Sequence, residues 1–317
     1  MLHQKILKEE TFQLLKELMN DDYLQGFNLV GGTALSLYLG HRQSIDLDLF
    51  SKKEFDVASL RRHLVDKYNF KERYTEKQTL KGDINGVFID CIRYDYPHIS
   101  PINMLDNIRI TSIPDLLAMK IAAITDSGER EKDFVDVACF STRVSLNDML
   151  RFYSSKYHGV STIMPMKALL YFNDIKRNEP LILTVGTYKW TLIENRLKEM
   201  VNNPDKIFED LPVKVNPKIE KLEKDTVCYA REYITKEGLH KGFPWLRDSF
   251  NDLCGEILAD NDVDKKFYNL LRQRTAKRII EKCSNHLNET QIEQLSKELG
   301  ELAKMENIRE KSNGWKL

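Results

Sequence analysis

Apolar positions fall into distinct rhythms along the chain, and the dominant rhythm changes partway. Near the N-terminus Leu7, Leu14, Leu15 and Leu18 recur at helical spacing, with Lys5, Lys8, Glu10 and Lys16 left for the wet side, which predicts an amphipathic helix lying against a sheet. The segment FNLV then runs into Gly31-Gly32, TALSLYLG reads as a short helix, and SIDLDLF alternates apolar with acidic residues as a half-buried strand does. Helical spacing returns over 57–68, followed by strand candidates at 71–80 and 87–94 separated by a Gly-Asp-Ile-Asn-Gly turn. From Ile113 helices dominate. SIPDLLAMKIAAI offers Ser112 as a cap and Pro114 in the first turn, and further helices are expected around 132–140, 146–157, 161–172 and 189–201. The segment NNPDKIFEDLPVKVNP, with three prolines and little periodicity, reads as a linker or module edge. Beyond about Lys218 the chain is charged and helical, with one break at HKGFPW.

These rhythms predict an α+β fold: a small mixed sheet flanked by helices at 1–112, a helical domain at 113–205 completing a cleft, and a helical C-terminal extension at 206–317. A chain of 317 residues can bury a sizeable core. The 48 basic residues balance 48 acidic ones, so no global field points to nucleic acid or a membrane surface, and any polyanion site must be local. Five scattered cysteines without a C-x-x-C pair argue against a disulfide framework or zinc knot and fit a reducing cytoplasm. The N-terminal segment carries acids throughout, unlike a signal peptide, and no apolar run reaches membrane-spanning length.

Chemistry concentrates at Asp46 and Asp48. Two residues apart on a strand, their carboxylates leave one face while Leu47 and Leu49 point into the core. Crowded carboxylates repel, and a divalent cation turns that into binding. Mg2+ is the expected guest, with Mn2+ as the alternative, because it bridges carboxylates to nucleotide phosphates. The Gly31-Gly32 turn lets backbone approach a phosphate, and the helix behind it, with Thr33 in its first turn, offers N–H groups and a positive dipole end. Two-metal sites call for a third carboxylate, and Asp90 in VFIDCIRYD is the candidate, on a face shared with Phe88 and Ile92. A slip of one residue would instead put it in water.

The run GGTALSLYLGHRQSIDLDLF resembles the signature of the AbiEii/AbiGii-type nucleotidyltransferases, toxin components within the polymerase-β-like superfamily, in its Gly pair, its His41-Arg42 step and its D-x-D pair. Downstream, DLLAMKIAAI and REKDFVDV are similar to that family's lysine-bearing helix and its basic-Asp-x-x-Asp helix, with Lys132 standing where an Arg is more usual. The resemblance spans roughly residues 20–200 and implies a polymerase-β-like core. It further implies that Lys120 contacts nucleotide phosphates, that Asp133 and Asp136 support the site, and that an NMP moves from an NTP to a hydroxyl, in some members the 3′ end of tRNA. A cognate antitoxin is the implied protein partner. Arg42 either reaches the phosphates or packs over its strand. The acceptor stays open between RNA, a protein and a small molecule, and the alternative to catalysis is an NTP-binding interaction module.

Each of these residues also has a plainer role. Lys120 fits a lysine snorkelling at the core's edge. Asp133, Lys132 and Arg130 fit a solvated first-turn cluster. Arg274, Lys277, Arg278 and Lys282 form either an RNA-facing stripe or a solvated face beside DNDVDKK, and Tyr188, Trp190, Phe243 and Trp245 read as core or domain-contact residues.

Overall fold

The computed structural model describes residues 2–177, 180–184, 186–214, 217–237, 248, 252 and 268–304. The chain divides into two units, residues 1–183 with 188–213, and residues 184–187 with 214–317.

The first unit is built on a mixed sheet. Strand β1 (Phe27–Val30) leads directly into helix α2 (Gly31–Leu39), and β2 (Leu47–Ser51) returns antiparallel to β1. The alternation of SIDLDLF works as expected: Leu47 and Leu49 are fully buried, and Asp48 and Phe50 are half-buried on the other face. Helix α1 (Glu9–Met19) buries Phe12, Leu14, Leu15, Leu18 and Met19, while Leu7 of the expected stripe precedes it and is buried as well. Helix α3 (Val57–Tyr68) starts under an Asp56 cap that accepts from the Ala58 and Ser59 amides.

The strand candidate over 71–80 is two strands, β3 (Lys71–Glu76) and β4 (Thr79–Ile84), and β5 (Val87–Arg93) completes the antiparallel run. The expected five-residue turn shrinks to Asn85-Gly86, with φ of 52° and 81°, while Ile84 pairs with Val87. Two left-handed residues make a hairpin whose twist matches its strands, and Asn-Gly is the pair best able to adopt them. Gly82, assigned to that turn by sequence, lies inside β4, where a Cβ would run into the Phe70 ring and the Lys71 carbonyl. Two short strands escaped the sequence reading, β6 (Asn103–Leu105) and β7 (Ile108–Ile110), joined at Asp106-Asn107, again with positive φ at both residues. The sheet order is β3-β4-β5-β2-β1-β7-β6, parallel at β2–β5 and β1–β7 and antiparallel elsewhere.

Helices α4 (Ile113–Asp126), α5 (Glu131–Phe140), α6 (Leu146–Lys156), α7 (Ile163–Ala168) and α8 (Trp190–Asn202) follow. Ser112 caps α4 through the Asp115 amide, with Pro114 in the first turn. Helix α4 packs on α2, α5, α6 and α7, and α2 in turn packs on β1 and β2. Tyr188 donates to Glu131, and the Trp190 ring meets Phe134 and Phe172, so both aromatics serve packing.

The second unit contains the helices Pro217–Glu237, Tyr268–Cys283 and Glu289–Lys304, whose buried residues include Ala230, Ile234, Ile279, Leu295 and Leu299. Arg278 is half-buried and Lys282 exposed on the middle helix. The side chains of Arg274 and Lys277, and with them Phe243, Trp245, the HKGFPW break and the DNDVDKK stretch, lie outside the described residues. Among the described residues no helix is long and apolar enough to cross a membrane, and Cys91, Cys139, Cys228 and Cys283 are free thiols.

Candidate active site

Helix α2 begins where β1 ends, and among the described residues no side chain caps it. Such an uncapped N-terminus presents backbone donors and a positive dipole end, which favour an anion. Gly31 opens the helix with φ of 71°, and a Cβ there would collide with the Asp48 carboxylate. Glycine is thus demanded by conformation and by space together. Gly32 lies against Arg42 and Asp136. The Thr33 hydroxyl is already used: it donates to the Asp46 carbonyl and pairs with Ser44 Oγ at 2.7 Å, tying the loop before β2 to the first turn of α2.

Asp46 stands immediately before β2, and Asp48 lies within it. In the parallel pairing Asp48 is directly opposite Asp90 of β5. Burial, together with the charges of Asp90 and Asp46, pushes the Asp48 carboxyl up to about 6, against the opposing pull of Lys120 and Arg130. Asp90 shares its face with Phe88 and Ile92 as expected. That face is the outer, partly exposed one, whereas Ile89 and Cys91 are the buried pair. Asp90 also has a partner the sequence reading missed, Lys81 Nζ at 2.6 Å from the adjacent strand β4. A metal is therefore not needed to account for this carboxylate.

Behind the glycine pair lies a buried ionic cluster. Asp136, fully buried, receives Arg42 Nε at 2.6 Å and Nη2 at 3.0 Å, His41 Nε2 at 2.8 Å, and Lys120 Nζ at 3.0 Å. Lys120 also reaches Asp133 at 2.5 Å. Burial alone would raise the Asp136 carboxyl, but Arg42 and Lys120 outweigh it and hold it well below the usual carboxylate range. Burial pushes His41 down, keeping the ring neutral. Its Nδ1 has no partner among the described residues, so the proton is assigned to Nε2 and donated to Asp136. Lys120 is neither snorkelling nor exposed, and Asp133 belongs to no solvated cluster: both are buried.

A cleft of about 290 Å3 opens over these elements, lined by Gly32, Thr33, Arg42, Asp46 and Asp48 among the residues singled out by sequence. Gly31, Asp90, Lys120, Asp133 and Asp136 do not line it. Lys120 and the two helix carboxylates instead form the cluster behind it, in which Asp136 holds both Arg42 and Lys120, and Asp133 holds Lys120. Arg130 and Lys132 do line the cleft and were not foreseen there. The available signal was the start of α5 at Glu131, which leaves basic residues on either side of it at a helix N-terminus. For Mg2+ or Mn2+ the donors are suitable in kind, two carboxylates on adjacent alternate positions. Among the described residues no three His, Cys, Asp or Glu side chains are placed to share one ion.

A seven-stranded mixed sheet flanked by helices, with a glycine-led helix facing paired carboxylates, is an α+β fold of the nucleotidyltransferase class. Residues 13–85 match the family model described as "Nucleotidyl transferase AbiEii toxin, Type IV TA system", which bears out the AbiEii-type resemblance over that segment. The matched segment contains Gly31, Gly32, Asp46 and Asp48 and ends before Asp90. The chain is also similar to "Uncharacterized protein aq_aa25" of Aquifex aeolicus (strain VF5), with 29% identity over 201 residues, 62% of this chain and 96% of that protein.

Proposed function

We propose that this cleft transfers a nucleoside monophosphate from an NTP to a hydroxyl group, with Mg2+, or Mn2+ in its place, held by Asp46 and Asp48. The observation that carries the reading is the contact of Gly31 with Asp48, opposite Asp90: a phosphate-type helix start touches a carboxylate whose neighbours make it unfavourable as an anion on its own. A divalent ion bound there would supply the charge that draws the triphosphate and the carboxylates together.

The protein's own groups divide the remaining work. The N-terminus of α2, which opens on the cleft at Gly32, holds phosphate oxygens, and Arg42, fixed by Asp136 and the Gln43 carbonyl, lends its positive charge to the cleft it borders. Arg130 and Lys132, which line the cleft where the buried Lys120 does not, take the charge that develops on the leaving pyrophosphate. Lys120 acts from below by holding Asp136 and Asp133. The acceptor oxygen forms a bond to the α-phosphorus as the bond to pyrophosphate breaks, and the hydroxyl proton passes to Asp90, released from Lys81.

The matched family is one of toxins, which supports the further reading that the acceptor is an RNA, tRNA first, and that a cognate antitoxin opposes the activity. The test is to incubate the protein with magnesium, each NTP, total tRNA and cell protein, and to weigh the products. A mass gain of one nucleotide on RNA is expected. A gain on protein alone would overturn the RNA acceptor, and no gain anywhere would overturn transfer itself.

A further inference from the structure

The cleft is lined by two chemically distinct sets of groups, and the catalytic reading uses only one. Arg42, Arg130, Lys132 and Gly32 account for phosphate. The same cleft is also lined by Ile45, Phe88, Pro180 and Ile182. Three of these are unusually open for large apolar side chains: Ile45 is 51%, Ile182 46% and Phe88 40% exposed. Exposed apolar groups lining a charged cleft lose free energy to water unless something covers them.

These groups are held in place. The Gln43 amide donates to the Ile182 carbonyl at 2.9 Å, and Arg42 bridges to Leu183, so the loops bearing Ile45 and Ile182 are stitched together. Phe88 projects from β5, two residues before Asp90, and the Arg73 guanidinium lies 4.5 Å from its ring centre, which makes the ring one layer of an existing stack.

Resting on the reading of the cleft as an NTP site, we infer that Ile45, Ile182 and Phe88 form the base-binding wall, holding the nucleobase of the NTP whose phosphates the cationic side holds. Charge complementarity favours one orientation: a triphosphate finds its counter-charges at Arg42, Arg130 and Lys132 and none at Ile45, Ile182 and Phe88, which leaves the apolar groups to the base. The volume of about 290 Å3 suits a nucleotide-sized guest rather than a bare phosphate. Binding through ring faces is tolerant of base identity, since every base has such a face.

The test compares binding of each NTP with binding of inorganic tripolyphosphate, both with magnesium and without acceptor, by calorimetry on the full chain. Wild type should hold at least one NTP about 10-fold or more tighter than tripolyphosphate, the order expected for one stacked base. Phe88→Ala and Ile182→Ser should erase most of that margin and leave tripolyphosphate binding unchanged, which also shows that the variants are folded. Equal affinity of wild type for NTP and tripolyphosphate, or a margin that survives both substitutions, overturns the wall while leaving the phosphate site standing. Failure of wild type to bind either compound overturns the nucleotide reading itself, and the wall with it.

Discussion

Gly31 is where conformation, space and chemistry meet in one residue. A Gly31→Ala substitution must place a Cβ at positive φ and against the Asp48 carboxylate, at a cost of about 1–3 kcal/mol, and transferase activity should fall with it. Thermal denaturation and product yield measured on the same sample check this. Asp48 and Asp136 should behave oppositely. Asp136→Ala strips the common partner from Arg42 and Lys120 inside the protein and should cost about 3–5 kcal/mol in denaturant unfolding. Asp48→Asn removes a carboxylate already pushed up to about 6 by burial and its acidic neighbours, so the metal-free protein should keep or raise its melting temperature while losing activity. His41 supplies a pH test. Its folded pKa lies below the unfolded value of about 6.5, so in that window the unfolded chain binds more protons and stability falls on acidification. Wild type should therefore lose stability below pH ~6.5 more steeply than His41→Gln, by up to about 1.4 kcal/mol per pH unit. Equal slopes would show that His41 is not held neutral. Of these residues, the glycine pair and the D-x-D pair were legible in sequence because their spacing is local. The Asp136 clamp joins residues 94 and 95 positions apart, and nothing in either segment alone announces it.

At the scale of elements, periodicity is legible in the sequence and boundaries are less so. SIDLDLF and SIPDLLAMKIAAI became β2 and α4 because each pattern matches one face to one core. The run 71–80 hid a turn because Lys77-Gln78 carries no Gly or Pro, and the chain turns there through the positive φ of Gln78. Strands β6 and β7, three residues each, are too short for alternation to register. The cap on α4 offers a check on the local account. Ser112 accepts from the Asp115 amide and donates to its carboxylate at 2.7 Å, so Ser112→Ala should cost about 1 kcal/mol by denaturant midpoint. Since α4 carries Lys120, a larger loss accompanied by lower activity would show that the cap also holds the cluster under the cleft.

At the scale of the whole molecule, the candidate site belongs entirely to the first unit, whose sheet places Asp48 beside Asp90 and in which Arg42, from the loop after α2, and Arg130 and Lys132, at the start of α5, line one cleft with Gly32. The balanced total charge of 48 against 48 conceals this local asymmetry, which is why composition alone pointed to no polyanion. The central claim is that the α-phosphorus of an NTP is transferred by a site built on Asp46 and Asp48. The most direct measurement supplies the protein with magnesium, total tRNA and an NTP labelled at either the α- or the γ-phosphorus, beside Asp46→Asn and Asp48→Asn. The account predicts α-label in the acceptor, γ-label in released pyrophosphate, and neither with the two variants. Label reaching the acceptor from the γ-position, or variants as active as wild type, would contradict it.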